Sequence, residues 1–281
     1  MNNDMSLVSL IEVKLASNEV ELPVFDGVAQ KIYEEVRKNA LDADGICAIL
    51  EEDTVLVAEV LKMANSSYFS GVSEISSLRD AAVRLGIKQI SAIVFSANQK
   101  RLYSASKGLF KTRLVELWQH ASAVSLGSRW LASYIGYSRF ADEAYIAGLL
   151  HDIGKLSLLR IIEDLVASEN LVLSNDMVNS TLQQLYCTHG ADLLELWRLP
   201  DLFQQVVLHQ ADETYDESNR ILSIVRLVDK ACVLEGLSDI RDTAGIDLES
   251  LDETRSLGLS ELDIAELCIM LEDCSGYRDA A

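Results

Sequence analysis

The sequence predicts an all-α chain folded as two packed helical lobes. Three observations point there. Only 2 Pro and 14 Gly occur among 281 residues, so little interrupts long helices. Apolar residues recur at three- and four-residue intervals, the spacing of a helix that buries one face. Alternating β-branched stretches between turn dipeptides are weak throughout. Hydrophobic residues make up 49% of the chain, enough to bury a core. No apolar run reaches the roughly 18 residues of a membrane span. The first residues, Met1 to Ser6, lack the basic start and apolar block of a signal peptide. A soluble, cytoplasmic chain with no membrane partner is the expectation.

The elements follow in chain order. Asp53 is a candidate N-cap, and Val57, Val60, Leu61 and Ala64 behind it form an amphipathic stripe. From Leu114 to Tyr134 a long helix carries Leu117, Ala121, Val124, Leu126 and Leu131. Near the end, Ser260-Glu261-Leu262-Asp263 resembles a capping box with Asp in place of Glu. Behind it Leu262, Ala265, Glu266 and Ile269 share one face of a C-terminal helix. A lobe boundary is expected near Gly108, after the connector-like Tyr103-Ser104-Ala105-Ser106-Lys107-Gly108. The lobes are therefore residues 1–108 and residues 109–281.

Charge supports that division. The chain carries 24 basic and 44 acidic residues, a net charge of −20. The first lobe accounts for −4 and the second for −16. Such a chain lacks the basic face that phosphate-backbone binding needs, so nucleic acid is not an expected partner. An anionic membrane surface is disfavoured for the same reason. A local basic stretch, Arg84, Lys88, Lys100, Arg101, Lys107, Lys111 and Arg113, lies in a window without acidic residues. Charge runs of this kind usually face solvent or an acidic neighbour. The five cysteines, Cys47, Cys187, Cys232, Cys268 and Cys274, are odd in number and form no CxxC pair, so reduced thiols are expected.

All four histidines, His120, His151, His189 and His209, fall in the second lobe. Ala147-Gly148-Leu149-Leu150-His151-Asp152-Ile153-Gly154-Lys155 places an adjacent His-Asp pair after an apolar helical run. Imidazole and carboxylate together suit Fe, Mn, Zn or Ni. Neighbours on a helix point about 100° apart, so the pair can serve one ion only at a shared edge. Gly154 removes bulk beside such a site, and Lys155 suits a phosphate oxygen. Asp229 lies in an apolar helix, Ile224 to Asp229, where an unpaired carboxylate is costly to bury. One histidine on an apolar face is ordinarily a hydrogen-bonded core residue. The ordered set argues for a centre that holds one or two divalent transition-metal ions.

The order His120, His151-Asp152, Asp229 resembles the H…HD…D signature of the HD superfamily of metal-dependent phosphohydrolases. His151 to Lys155 is similar to the HDxGK element of the HD-GYP phosphodiesterases, and His189 and His209 fall where that group has further histidine ligands. The chain more closely resembles the HDOD family, the HD-related output domain of bacterial signalling. That likeness is carried by Leu22-Pro23, Asp53-Thr54, Leu61-Lys62-Met63-Ala64-Asn65-Ser66-Ser67-Tyr68, Ala81 to Gly86, Trp118-Gln119-His120-Ala121, Gly148 to Lys155 and Trp197-Arg198-Leu199-Pro200. It runs from about Leu22 to Gly236. Beyond Gly236 no motif stands out. Two departures matter: the His-His pair common in these groups is His209-Gln210 here, and no GYP sequence follows.

The resemblance implies that the second lobe is an HD-domain-like helical bundle with a C-terminal helical extension. It implies a regulatory signalling module without robust catalysis, with a signalling protein or a nucleotide-like ligand as partner. It also implies a metal set of His120, His151, Asp152, His189, His209 and Asp229. The alternative is a metal-dependent phosphohydrolase acting on a nucleotide or other phosphate ester, with Asp152 and Lys155 as catalytic residues. The lost second histidine puts one ligand of a dinuclear site in doubt.

Overall fold

The structure, a computed structural model, describes residues 6–17, 27–38, 42–65, 75–104, 108–238 and 245–275. Among the described residues every regular element is helical. The elements are α1 (Leu7–Ala16), α2 (Gly27–Arg37), α3 (Ala43–Leu50), α4 (Thr54–Ala64), α5 (Leu78–Leu85) and α6 (Ile87–Ser104). They continue with α7 (Lys111–Tyr134), α8 (Ala141–Leu150), α9 (Ile153–Glu169), α10 (Asn175–Leu196), α11 (Asp201–His209), α12 (Arg220–Leu234), α13 (Asp252–Leu257) and α14 (Glu261–Ser275).

The chain divides into two compact units, residues 24–102 and the remainder. The crossing at 102/103 lies six residues before the expected boundary. The N-terminal segment differs from expectation more: α1 belongs to the larger unit, where it packs on α9 and α10. Composition does not reveal this, because ten residues with two buried anchors, Leu7 and Ile11, look the same wherever they dock.

In the smaller unit, α2, α3, α4 and α5 pack in sequence around Ile32, Ile46, Leu50, Leu56 and Val60. Asp53 caps α4 as expected, accepting from the Val55 and Leu56 amides at 2.9 and 3.0 Å. Arg101 holds the same carboxylate at 2.9 Å. The buried stripe of α4 is Leu56, Val60 and Ala64, with Val57 and Leu61 half-buried at its edge. At the C-terminus of α4, the Asn65 amide donates to the Leu61 and Ile75 carbonyls, and its oxygen accepts from the Ile75 amide. That clasp agrees with a turn-closing role for Asn65. Ser66, Ser67 and Tyr68 lie outside the described residues, as do Leu22-Pro23 and Lys107.

In the larger unit, α7 and α8 pack face to face, α9 and α10 form a second pair, and α12 lies against α7 and α8. Glycines decide how closely these helices cross. A Cβ at Gly148 would lie 2.9 Å from the Ser125 Cα and the Val124 oxygen of α7, and one at Gly127 would lie 2.5 Å from Val228 of α12. The Ser260–Asp263 capping box forms reciprocally: Asp263 Oδ2 accepts from the Ser260 amide at 2.7 Å, and Ser260 Oγ accepts from the Asp263 amide at 3.4 Å. The buried face of α14 is not the expected one. Ile264, Leu267 and Leu271 pack inward, while Leu262 and Ile269 are 68% and 54% exposed. Both faces contain apolar residues at helical spacing, and only the neighbouring α7 and α12 select between them.

Candidate metal centre

Three helical segments bring four side chains together. His120 projects from the middle of α7, Asp229 from α12, and His151-Asp152 from the two residues that separate α8 from α9. The His-Asp pair is thus not on a continuous helix, as expected, but at a break in one. Asp152 adopts φ −104°, ψ 16°, and α9 starts anew at Ile153. The break turns both side chains toward one locus, with His151 Nε2 3.5 Å from Asp152 Oδ2. The close crossings at Gly127 and Gly148 bring α7 near enough to α12 and α8 for His120 to reach them.

The two shortest separations are those of a ligand shell. His120 Nε2 lies 3.1 Å from His151 Nε2, 3.1 Å from Asp229 Oδ1 and 3.7 Å from Asp152 Oδ2. His151 Nε2 lies 3.8 Å from Asp229 Oδ1. Bonds of about 2.0–2.2 Å to one metal put neighbouring ligand atoms about 2.8–3.1 Å apart in an octahedron and about 3.3–3.6 Å apart in a tetrahedron. Both outer ring nitrogens are tied: His120 Nδ1 donates to the Leu237 carbonyl at 2.9 Å, and His151 Nδ1 to the Gly148 carbonyl at 2.7 Å. Those bonds fix the tautomer that turns both Nε2 lone pairs inward, the usual second-layer support of a metal-bound histidine. Two bare lone pairs 3.1 Å apart repel, so a cation or a proton must stand between them. His120, His151 and Asp229 form a group whose ligand atoms all lie within 4.8 Å of one another; Asp152 stands at its edge, outside that group. The residues fit a divalent metal ion.

The electrostatics agree. Burial lowers the His120 pKa, but the hydrogen bond to Asp229 and the charges of Asp229 and Asp152 outweigh it, so the net shift is upward. Burial, opposed by Asp152 and reinforced by His120, holds His151 below its ordinary value. Burial would raise both carboxylates, yet Lys155 and the histidines hold Asp152 low, and the hydrogen bond from His120 holds Asp229 well below the carboxylate range. The side chains of His120, His151 and Asp152 are 1% exposed and that of Asp229 is 35% exposed, so the centre opens on the Asp229 side.

The other candidates sit elsewhere. His189 Nε2 bonds the Ser157 hydroxyl at 2.9 Å, and His209 pairs with Asp212 at the surface at 2.7 Å. Neither belongs to a ligand group among the described residues. Lys155 lies 2.7 Å from Asp152 Oδ2 and over the Tyr186 ring. Tyr186 is half-buried on α10, and burial, then Asp152, pushes its hydroxyl far up, so it stays protonated. Sequence reasoning missed Tyr186 and the two carbonyls, Leu237 and Gly148. A carbonyl has no residue signature, and Tyr186 is marked only by lying one turn before Gly190. Cys47, Cys187, Cys232 and Cys268 carry thiols rather than disulfides, and the Cys274 side chain lies outside the described residues.

Comparison with known proteins agrees with the fold. The HDOD domain model matches residues 22–213. A Geobacter sulfurreducens HDOD domain protein of unknown function superposes with a TM-score of 0.77 at 24% identity, covering 96% of each chain. A Shewanella amazonensis protein, named provisionally as a metal-dependent phosphohydrolase, gives 0.74 at 21% identity, covering 95% of this chain and 97% of its own. A Marinobacter aquaeolei protein, named provisionally for signal transduction, gives 0.64 at 22% identity, covering 99% of this chain and 60% of its own. At these identities the likeness establishes the fold. An uncharacterized protein of Treponema pallidum (strain Nichols) is 22% identical over 201 residues, and the matched region spans 38% of that protein's length. No described helix is long and apolar enough to cross a membrane.

Proposed function

The chain belongs to the HDOD family, and from that premise we propose that it is a regulatory module of bacterial signal transduction whose His-Asp centre holds one divalent transition-metal ion. The observation that carries this reading is the pair of inward Nε2 atoms 3.1 Å apart, each with its Nδ1 committed to a carbonyl, beside two carboxylates. His120, His151, Asp152 and Asp229 would hold the ion. Bound there, it would supply positive charge and Lewis acidity toward a phosphoryl oxygen or carboxylate of a ligand. His151-Asp152 joins α8 to α9, while His120 and Asp229 stand on α7 and α12. Occupancy of the centre would therefore tie four helices together, which suits a module that reports a bound ion or ligand to a signalling partner. One ion rather than two follows from Gln210 in place of a histidine and from the outward pairing of His209 with Asp212.

A phosphohydrolase reading has one feature in its favour. Lys155 and Tyr186 flank Asp152, where an ammonium and a neutral hydroxyl could hold an anionic phosphate ester. Against it, the lysine is already paired with Asp152.

Elemental analysis of protein purified without chelator, together with a turnover screen over nucleotides and cyclic dinucleotides, tests both readings. The expected result is about one metal per chain, lost in His151→Ala, with no turnover. Absence of metal after reconstitution with Mn, Fe, Zn and Ni would overturn the metal centre. Metal-dependent turnover abolished by His151→Ala would replace the regulatory reading with the enzymatic one.

A further inference from the structure

The centre is braced from behind by residues outside its ligand set. The last carbonyls of a helix have no partner within it and need one from elsewhere. His151 is the residue that closes α8. Its carbonyl accepts a hydrogen bond from the Gln210 side-chain amide, which also donates to the Val207 carbonyl at 3.2 Å. Between two carbonyls only the NH₂ end of the amide fits, so the orientation of Gln210 is set by its surroundings. The backbone of Gln210 is held in turn. Arg226 Nη1 donates to the Gln210 carbonyl at 2.7 Å and to the His209 carbonyl at 3.0 Å, closing the C-terminus of α11. The guanidinium lies over the Tyr215 ring, 4.2 Å from its centre. Its Nε donates to Glu253 at 2.7 Å, and Glu253, 1% exposed on α13, also accepts from Lys230 at 2.7 Å.

We propose that Gln210 is a positioning residue for the metal centre, and that the Arg226–Glu253 pair anchors it. This rests on the metal-centre reading above. Position 210 does not supply a ligand here. It fixes the backbone of a ligand, His151, through a strut that starts on α13, forty residues beyond the family match. The segment after Gly236 thereby becomes part of the site twice: Leu237 orients His120, and Glu253 secures the strut behind His151.

The strut predicts a loss of metal affinity without loss of fold. Gln210→Met keeps the volume and removes the donor. Arg226→Lys keeps the charge that Glu253 needs and removes the forked grip on α11. Co²⁺ titrated into the full metal-free chain, followed by calorimetry and visible absorption, reads both affinity and ligand geometry. Removing an outer support of a metal ligand typically weakens binding 10- to 100-fold. The expected result is a loss of about that size in Gln210→Met, a smaller one in Arg226→Lys, and a shifted Co²⁺ spectrum in both. The melting midpoint of Gln210→Met should stay within a few degrees of the parent. Gln205→Met, which removes an exposed amide on the same helix, serves as the control and should change neither readout. Equal affinity and an identical spectrum in Gln210→Met and the parent would overturn the positioning role while leaving the centre intact. Failure of the parent to bind Co²⁺, or equal binding by His120→Ala, would overturn the metal centre and the strut with it.

Discussion

Gly154→Ala tests whether the packing of α9 on α10 holds the His-Asp pair in place. Gly154 lies in the first turn of α9, two residues after Asp152. A Cβ there would lie 2.0 Å from the Tyr186 oxygen, 2.9 Å from the Tyr186 carbonyl carbon and 3.0 Å from the Gly190 nitrogen. All three are backbone atoms of α10, so no side chain can swing aside. Contacts below 3.0 Å are essentially never seen for a real Cβ, so the helices must part by about 1 Å. Gly190 faces the same crossing, with its own Cβ position 3.2 Å from the Gly154 nitrogen. Overpacking costs typically about 1–3 kcal/mol, and a backbone-on-backbone clash belongs at the upper end, about 3 kcal/mol. For a unit of this size that lowers the melting midpoint by about 6–12 °C. Because α9 carries Asp152 at its start, metal affinity should fall as well. Gly27→Ala is the control. Its Cβ meets nothing within 4 Å and its backbone needs no special conformation, so stability should be unchanged or slightly increased. Calorimetric melting of the three proteins decides the matter. A Gly154→Ala midpoint within 2 °C of the parent would refute the crossing contact as the support of the site.

Other outcomes follow from the charges. Asp229 and Asp152 shift the His120 pKa upward, so protons compete with an incoming cation at the centre. Apparent metal affinity should therefore rise with pH, with about one proton released per ion; titration in buffers of different ionisation enthalpy counts the protons, and a count of zero would exclude this competition. Asp53 titrates at about 2 against an ordinary 3.8, chiefly through its hydrogen bond to Arg101, so the pair stabilises the fold above about pH 4 and its contribution disappears as pH falls through about 2. Asp53→Asn keeps a capping side chain but loses the ion pair, and should cost about 1 kcal/mol in denaturant at pH 7, a difference that narrows from pH 5 to 3. Glu253→Leu strands Arg226 and should cost about 3–5 kcal/mol, the range for breaking one side of a buried ion pair, read by urea denaturation.

The helical class was legible because period and composition agree along the chain, and Asp53 and Ser260 announced their helices through local side-chain–backbone bonds. Asp53 is legible as a cap and as part of the family likeness, but its pairing with Arg101 across 48 residues of sequence is not. The face of α14 was misread because Leu262 and Ile269 are as apolar as Ile264 and Leu267. Burial there depends on what lies alongside, and a single helix does not carry that information. The placement of α1 failed for the same reason.

At the centre, residue type indicated the four histidines with Asp152 and Asp229, because buried imidazoles and carboxylates need a cation, a proton or one another, and the family resemblance singled out His120, His151, Asp152 and Asp229. Which histidines share a locus was a question of three dimensions. His189 turns to Ser157 and His209 to Asp212, although both looked equivalent to His120 in the sequence. Lys155, legible as a phosphate ligand, lies on Asp152 instead. The carbonyls of Leu237 and Gly148 and the Gln210 amide were invisible, since backbone groups have no letter and hydrogen bonds between distant segments leave no spacing. The sequence by itself determined the helices and the chemistry available to them. The tertiary structure decided which groups meet, because ligand geometry depends on ångström-scale helix crossings set by Gly127, Gly148 and Gly154.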